Sequence, residues 1–431
     1  MSRNVEASNK TTKDRPLRIG MFSESFHPVQ NGVTTSVRTL IAELRRHGHH
    51  VWVFAPEHHD QPEHETNVVR FPSFVTQFNP EYPLAYPFLP RMKLASQIER
   101  LKLDVIHTHT PFVLGLTGAD LAIRNGIPLV STYHTLYREY SHYVSFLPEA
   151  FTQGVLEAFL PWYYNRCSTV ICPSKMSMDH LQASGVDRPM AVIPTGIPLP
   201  QPADIRPEAR ANVRSKLNIG PETPLLLYAG RLAPEKQIPW LLSAFVRISD
   251  FVPNAVLAIA GGGPLLEELT ELAKTMGISD RIRFMGPVPR CEMDPIYAAA
   301  DLFVFPSPSE TQGLVIGEAR AAGTPAVVID AGGAPETVQD GVDGFRIAEG
   351  DLEGFSGCVS RLLRDRDHLA RLSMNALKTA QAHTPDQMTL RILDVYDRSR
   401  SMSRPEGMSA VIPAHAEAVA DPHMASHNIS K

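Results

Sequence analysis

Two successive series of strand and helix patterns, separated by a proline-dense stretch, restrict this chain to a two-domain α/β architecture. After a polar leader expected to be disordered (residues 1–15), Leu17-Arg-Ile-Gly-Met-Phe reads as a short buried strand, and a turn-rich loop from Ser25 to Gly32 leads into a helix. Val37, Leu40, Ile41 and Leu44 are spaced for one face of that helix, and Gly48 ends it. The alternation continues with Val51-Trp-Val-Phe-Ala, Val105-Ile-His, a helix near Gly115 to Asn125, and Pro128-Leu-Val-Ser-Thr. A helical region from Glu149 to Cys167 and the strand Thr169-Val-Ile-Cys close the first series. Strands that alternate with helices predict a parallel sheet covered on both faces.

Ile193-Pro-Thr-Gly-Ile-Pro-Leu-Pro-Gln-Pro lacks the backbone donors a regular element needs, so it predicts an extended linker. The second series runs through Pro224-Leu-Leu-Leu-Tyr-Ala-Gly, Ala255-Val-Leu-Ala-Ile-Ala-Gly, Arg281-Ile-Arg-Phe-Met-Gly, Leu302-Phe-Val-Phe and Pro325-Ala-Val-Val-Ile. The expected domains are therefore residues 16–200 and 201–384. Residues 385–400 are expected to form a helix that packs back on the first domain. Residues 401–431 have no periodicity and are expected to be a disordered tail. Doubly wound sheets bind ligands at the carboxyl ends of their strands, so two such sheets predict a cleft between them.

Composition narrows the partners. The net charge of −5 argues against a nucleic-acid partner, because neutralising phosphates requires a basic excess. The cysteines, Cys167, Cys172, Cys291 and Cys358, form neither a disulfide framework nor a paired zinc motif and are expected to be buried free thiols. No apolar run reaches the length of about 18 residues that spans a bilayer, and the leader lacks the apolar core of a secretory signal. The expected location is the cytoplasm, with peripheral attachment to the inner face of the membrane left open.

Candidate chemistry concentrates in the second series. Gly230-Arg231-Leu-Ala-Pro-Glu-Lys236 sends two cations off a strand's carboxyl end, where they can neutralise a diphosphate or make ordinary surface ion pairs. Ser309-Glu310-Thr311-Gln312-Gly313-Leu314-Val-Ile-Gly-Glu318 lies between a strand and a helix. Its two glutamates would be about 12 Å apart along a continuous helix. A glycosidase pair is separated by roughly 5–9.5 Å, so different jobs are expected of them. Glu310 suits the hydroxyls of a donor sugar and Glu318 those of a ribose. Gly313 lets the backbone approach phosphates at the helix start.

Gly261-Gly262-Gly263-Pro264 departs from the dinucleotide fingerprint and reads as a plain βα turn. In the first series, Asn31-Gly32 precedes a helix and can approach phosphates across the cleft, or it is simply a tight turn. His134 follows a strand's carboxyl end and can hydrogen-bond the transferring sugar. His107 and His109 alternate on one strand without a third ligand at helical spacing, so no metal is expected.

These residues resemble retaining family 4 glycosyltransferases over roughly residues 16 to 400, through Asn31-Gly32, Gly230-Arg231…Glu235-Lys236 and Glu310…Glu318 in order. The resemblance implies the GT-B fold, two Rossmann-like doubly wound parallel-sheet domains facing a central cleft, residues 16–200 binding the acceptor and residues 201–384 the nucleotide-sugar. It implies hexosyl transfer with retained configuration and no metal or other cofactor, the nucleotide-sugar being a substrate. Arg231 and Lys236 would bind the diphosphate, Glu310 the sugar, Glu318 the ribose, His134 the sugar near the reacting carbon, and the backbone near Val288 the base. Gly32, Gly230, Thr311, Gln312, Gly313 and Leu314 complete the implied donor site.

His109-Thr-Pro-Phe…Gly115, Thr132-Tyr-His-Thr-Leu-Tyr137…Tyr140-Ser-His142-Tyr143, Ile193-Pro-Thr195-Gly196 and Glu310-Thr-Gln-Gly are similar to bacterial diacylglycerol glucosyltransferases. Many family members instead carry asparagine at Thr195 and phenylalanine at Gln312. The likeness implies a UDP-linked hexose and a lipid acceptor such as diacylglycerol, with His109, Tyr137 and His142 on the acceptor side. Arg91, Lys93, Arg100 and Lys102 lie beside Met92, Leu94, Ile98 and Leu101, a composition that suits an anionic membrane surface or a core-packed helix. A GDP-mannose donor, a soluble acceptor and a nucleotide-sugar epimerase on the same scaffold remain the alternatives.

Overall fold

A computed structural model describes residues 15–76, 79–86, 98–136 and 149–402. The first helix, Gly32–Arg46, forms where it is expected. Asn31 caps it by accepting from the Thr34 N–H at 2.8 Å, and Arg45 and Arg46 sit in its last turn, where the helix dipole favours cations. Its buried face carries Val37, Leu40, Ile41 and Leu44.

The first sheet contains β1 (Arg18–Phe22), β2 (His50–Pro56) and β3 (Val68–Phe71). A separate antiparallel hairpin follows, β4 (Ser73–Thr76) with β5 (Asn79–Ala85). The sheet then resumes with β6 (Val105–Thr108), β7 (Leu129–Thr132), β8 (Thr169–Cys172) and β9 (Met190–Val192). Its order is β3-β2-β1-β6-β7-β8-β9, with parallel pairing throughout. The second sheet holds β10 (Leu225–Ala229), β11 (Val256–Ala260), β12 (Ile282–Gly286), β13 (Leu302–Phe305), β14 (Ala326–Ile329) and β15 (Gly344–Ile347). Its order, β12-β11-β10-β13-β14-β15, is also parallel.

Both sheets reverse their order beside their first strand, between β1 and β6 and between β10 and β13. A crevice opens at each reversal because the flanking loops leave in opposite directions. The central strands read as nearly continuous apolar runs because helices bury both faces; every residue of β10 and β11 is buried. The helix Pro385–Ser401 returns to the first domain, where Met388, Ile392, Val395 and Tyr396 join the core around Val37, Leu40 and Ile171.

Two expectations need correction. Strands β3, β4, β5, β9 and β15 have no counterpart in the sequence-based pattern, being short, peripheral or partly polar. Cys291 is exposed, whereas Cys167, Cys172 and Cys358 are buried free thiols. Cys291 lies on the one-turn segment Arg290–Glu292, which has no buried residues. Among the described residues, no helix is long and apolar enough to cross a membrane.

Candidate active site

The loop after β10 begins at Gly230, whose φ of 152° turns the chain away from the sheet. Gly261, with φ 149°, packs against it so closely that an added Cβ would lie 1.9 Å from the Gly230 carbonyl oxygen. The glycine-rich turn after β11 therefore supports the Gly230–Arg231 loop, and Leu232 N–H seals the contact by donating to Gly262 O at 2.9 Å. Arg231 is exposed beyond this support. Lys236 ends the single turn Pro234–Lys236 and is buried.

Lys236 Nζ reaches Glu310 Oε1 at 2.6 Å, across from the loop that follows β13. Their side chains are only 10% and 23% exposed, so the pair is partly shielded from solvent screening. Gly313 then adopts φ 75° and starts the helix Leu314–Ala321, which has no side-chain cap. The free N–H groups of that first turn favour an anion.

Glu318 occupies a different environment on the same helix. Arg290 Nε donates to its Oε1 at 2.9 Å and the Tyr297 hydroxyl to its Oε2 at 2.8 Å, while Arg290 Nη1 also holds Asp294 at 2.8 Å. Burial pushes the Glu318 carboxyl above its ordinary range, and Arg290 and Tyr297 oppose the shift. Val288 is half-buried against the domain core, two residues before Arg290. Arg290 and Tyr297 were not singled out in the sequence; the Arg290–Asp294 spacing of four was the only local sign.

The first domain meets these loops directly. A Cβ on Gly32 would lie 3.7 Å from Leu314 Cδ1, so the starts of the two helices face each other. The Thr311 hydroxyl donates to the His134 carbonyl oxygen at 2.8 Å. Gln312 clamps the linker: its Oε1 accepts from Thr195 N–H at 2.8 Å and its Nε2 donates to Thr195 O at 3.0 Å. Thr195 Oγ1 in turn lies 2.8 Å from Ser36 Oγ on the first helix.

Comparison with known proteins adds the family. Residues 30–200 match the model of Glycosyltransferase Family 4, and residues 209–379 that of Glycosyl transferases group 1. The alpha-monoglucosyldiacylglycerol synthase of Streptococcus pneumoniae is 36% identical over 72% of this chain and 70% of its own length. This chain belongs to glycosyltransferase family 4. The synthase of the same name from Acholeplasma laidlawii is 33% identical over 72% of this glycosyltransferase and 80% of its own length. The structure of Anabaena HepE in complex with UDP superposes with a TM-score of 0.71 at 22% identity, covering 89% of the chain and 100% of HepE. The fold is GT-B.

In this glycosyltransferase buried His107 and His109 and half-buried His134 form a row at the carboxyl ends of β6 and β7. His109 Nδ1 lies 3.0 Å from His134 Nε2, and the His107 and His109 rings are 4.2 Å apart. His107 uses both nitrogens, with the Tyr396 hydroxyl at 2.7 Å and Thr132 Oγ1 at 2.8 Å. Burial lowers His134 to about 4 and His107 to about 3, and His109 also falls well below its usual value. Burial favours the neutral ring in each, the form in which His134 can offer a hydrogen bond. Tyr137, His142, Arg91 and Lys93 lie outside the described residues. Of their neighbours, Arg100 and Lys102 are exposed and Ile98 is buried in the first-domain core.

Proposed function

We propose that this protein transfers glucose from UDP-glucose to 1,2-diacylglycerol, with retained anomeric configuration and without a metal, at the cytoplasmic face of a membrane. The observation that carries the transfer chemistry is the convergence of Lys236, Glu310 and the open helix start at Gly313 on one sheet end. Cations and free N–H groups suit a diphosphate leaving group, and a carboxylate beside them suits sugar hydroxyls. Arg231 and Lys236 take the diphosphate, Glu318 the ribose and the backbone near Val288 the base. Glu310 and neutral His134 hold the hexose. The acceptor oxygen bonds to the anomeric carbon as the carbon–phosphate oxygen bond breaks; UDP keeps the electron pair, and the hydroxyl proton passes to the departing phosphate.

The lipid acceptor is supported by the named activity of the two relatives above. It is also supported by the exposed apolar side chains of Phe74, Val75, Leu84 and Tyr86 on the β4–β5 hairpin, a cluster suited to an apolar partner. The test is incubation with UDP- and GDP-hexoses, diacylglycerol vesicles and inositol 1-phosphate, followed by mass spectrometry. Hexosylated diacylglycerol formed with UDP-glucose is expected. Product only from a GDP-sugar, or only on the soluble alcohol, would overturn the respective half of the proposal, and isomerised UDP-sugar without acceptor would favour an epimerase.

A further inference from the structure

His109 and His134 meet at the carboxyl end of the first sheet but are anchored very differently. His109 directly follows β6, and its N–H donates to the Phe22 carbonyl oxygen at 2.9 Å, which continues the ladder with β1. The residue is 1% exposed. Its ring packs 4.2 Å from that of His107, whose two nitrogens are both bonded, to the Tyr396 hydroxyl and to Thr132 Oγ1. His109 therefore rests on a ring that is itself pinned. His134, by contrast, is half-buried in the loop after β7. Thr311 of the second domain holds its carbonyl oxygen, and His109 Nδ1, 3.0 Å from its Nε2, holds its ring.

The His109 ring makes this bond at a cost. Its other nitrogen, Nε2, is enclosed and has no hydrogen-bond partner. An orphaned polar atom in a core is destabilising, and an apolar side chain of similar size would fill the space without that penalty. Local rules are broken in this way where function compensates, and what His109 gains for the penalty is its grip on His134. Whichever ring donates, the bond occupies His134 Nε2 and leaves Nδ1 as the nitrogen that can meet a ligand.

We propose that His109 is a positioning residue for His134: its Nδ1 holds His134 Nε2, and so fixes the ring angle and the nitrogen that the loop histidine leaves to the cleft. His109 acts through His134 and does not touch the acceptor. The role rests on the assignment of His134 to the donor hexose made above. A strand end is more rigid than a loop, so the orientation of His134 is borrowed from the sheet.

The test uses the full-length protein with His109→Leu, which removes the bond, and His109→Asn, whose amide can stand where Nδ1 stood. In the leucine variant kcat is expected to fall about tenfold, the worth of one lost hydrogen bond. The acceptor KM, UDP affinity by calorimetry and the melting temperature are expected to match the wild type, and the asparagine variant to recover most of kcat. With nitrogen-labelled histidine, NMR of the wild type is expected to show one exchange-protected imidazole N–H that disappears in both His109→Leu and His134→Asn. Its absence from the wild type would overturn the bond, even if the leucine variant does not fold. An unchanged kcat, a raised acceptor KM, or a fall in melting temperature that accounts for the lost activity would overturn the positioning role. Unchanged turnover in His134→Ala would instead overturn the assignment of His134 to the hexose, while the N–H signal still reports the pair.

Discussion

Lys236 Nζ and Glu310 Oε1 are 2.6 Å apart in a partly enclosed position between two loops, so the cation and the carboxylate neutralise each other. In the proposed donor complex the diphosphate takes Lys236 from Glu310, which turns to the sugar. Glu310→Ala should therefore lower turnover by about 100-fold, the scale of one lost transition-state contact. UDP affinity should hold or tighten, because Lys236 loses a competitor. Arg231→Ala should instead weaken UDP. Steady-state kinetics and calorimetry separate the two, and unchanged turnover in the Glu310 variant would sink its assignment.

Arg290 gives Glu318 a pH signature. Burial favours the protonated carboxyl, and Arg290 is the cation that opposes this; Tyr297 donates to the same group and Asp294 pushes with burial. In the proposed ribose role the accepting form would be the carboxylate, which exists above the pKa and is lost as pH falls through it. Arg290→Gln should move that pKa further upward, so between a mildly alkaline and a mildly acidic pH UDP affinity should fall more in the variant than in the wild type. Calorimetry at both pH values measures it, and parallel profiles would refute the link.

Gln312 and Thr195 stand 117 positions apart and share two hydrogen bonds between the second domain and the linker. Gln312→Leu leaves the buried Thr195 N–H and carbonyl without that partner, a loss of roughly 1–3 kcal/mol. Faster hydrogen exchange at the Thr195 amide is expected, and an unchanged rate would mean that the clamp is not held in solution.

Arg320 Nη2 meets Asp343 Oδ2 at 2.5 Å with both side chains almost fully enclosed, and Thr379 Oγ1 donates to the same oxygen at 2.6 Å. Asp343→Ala should destabilise the second domain by about 3–5 kcal/mol, because it leaves a buried guanidinium without its counterion. Urea denaturation measures this. Adding Arg320→Met should recover part of the loss by removing the stranded charge.

The parallel alternation of both domains was legible because strand and helix periodicities are written over a few residues, whatever the rest of the chain does. The same holds for Gly313, whose left-handed φ at a helix start is a local backbone requirement. Residue types and loop positions also pointed to Arg231, Lys236 and Glu310 at strand ends. Strands β3, β9 and β15 escaped because short, partly polar edges carry little periodic signal.

Pairing was decided only by the tertiary structure. Lys236 meets Glu310 across 74 positions, and Glu24 meets Leu114 across 90, because strand order brings the loops after β10 and β13, and after β1 and β6, side by side. Burial is likewise a property of the assembled sheets. It separates Glu318, locked between Arg290 and Tyr297, from Glu310, eight residues earlier on an open loop.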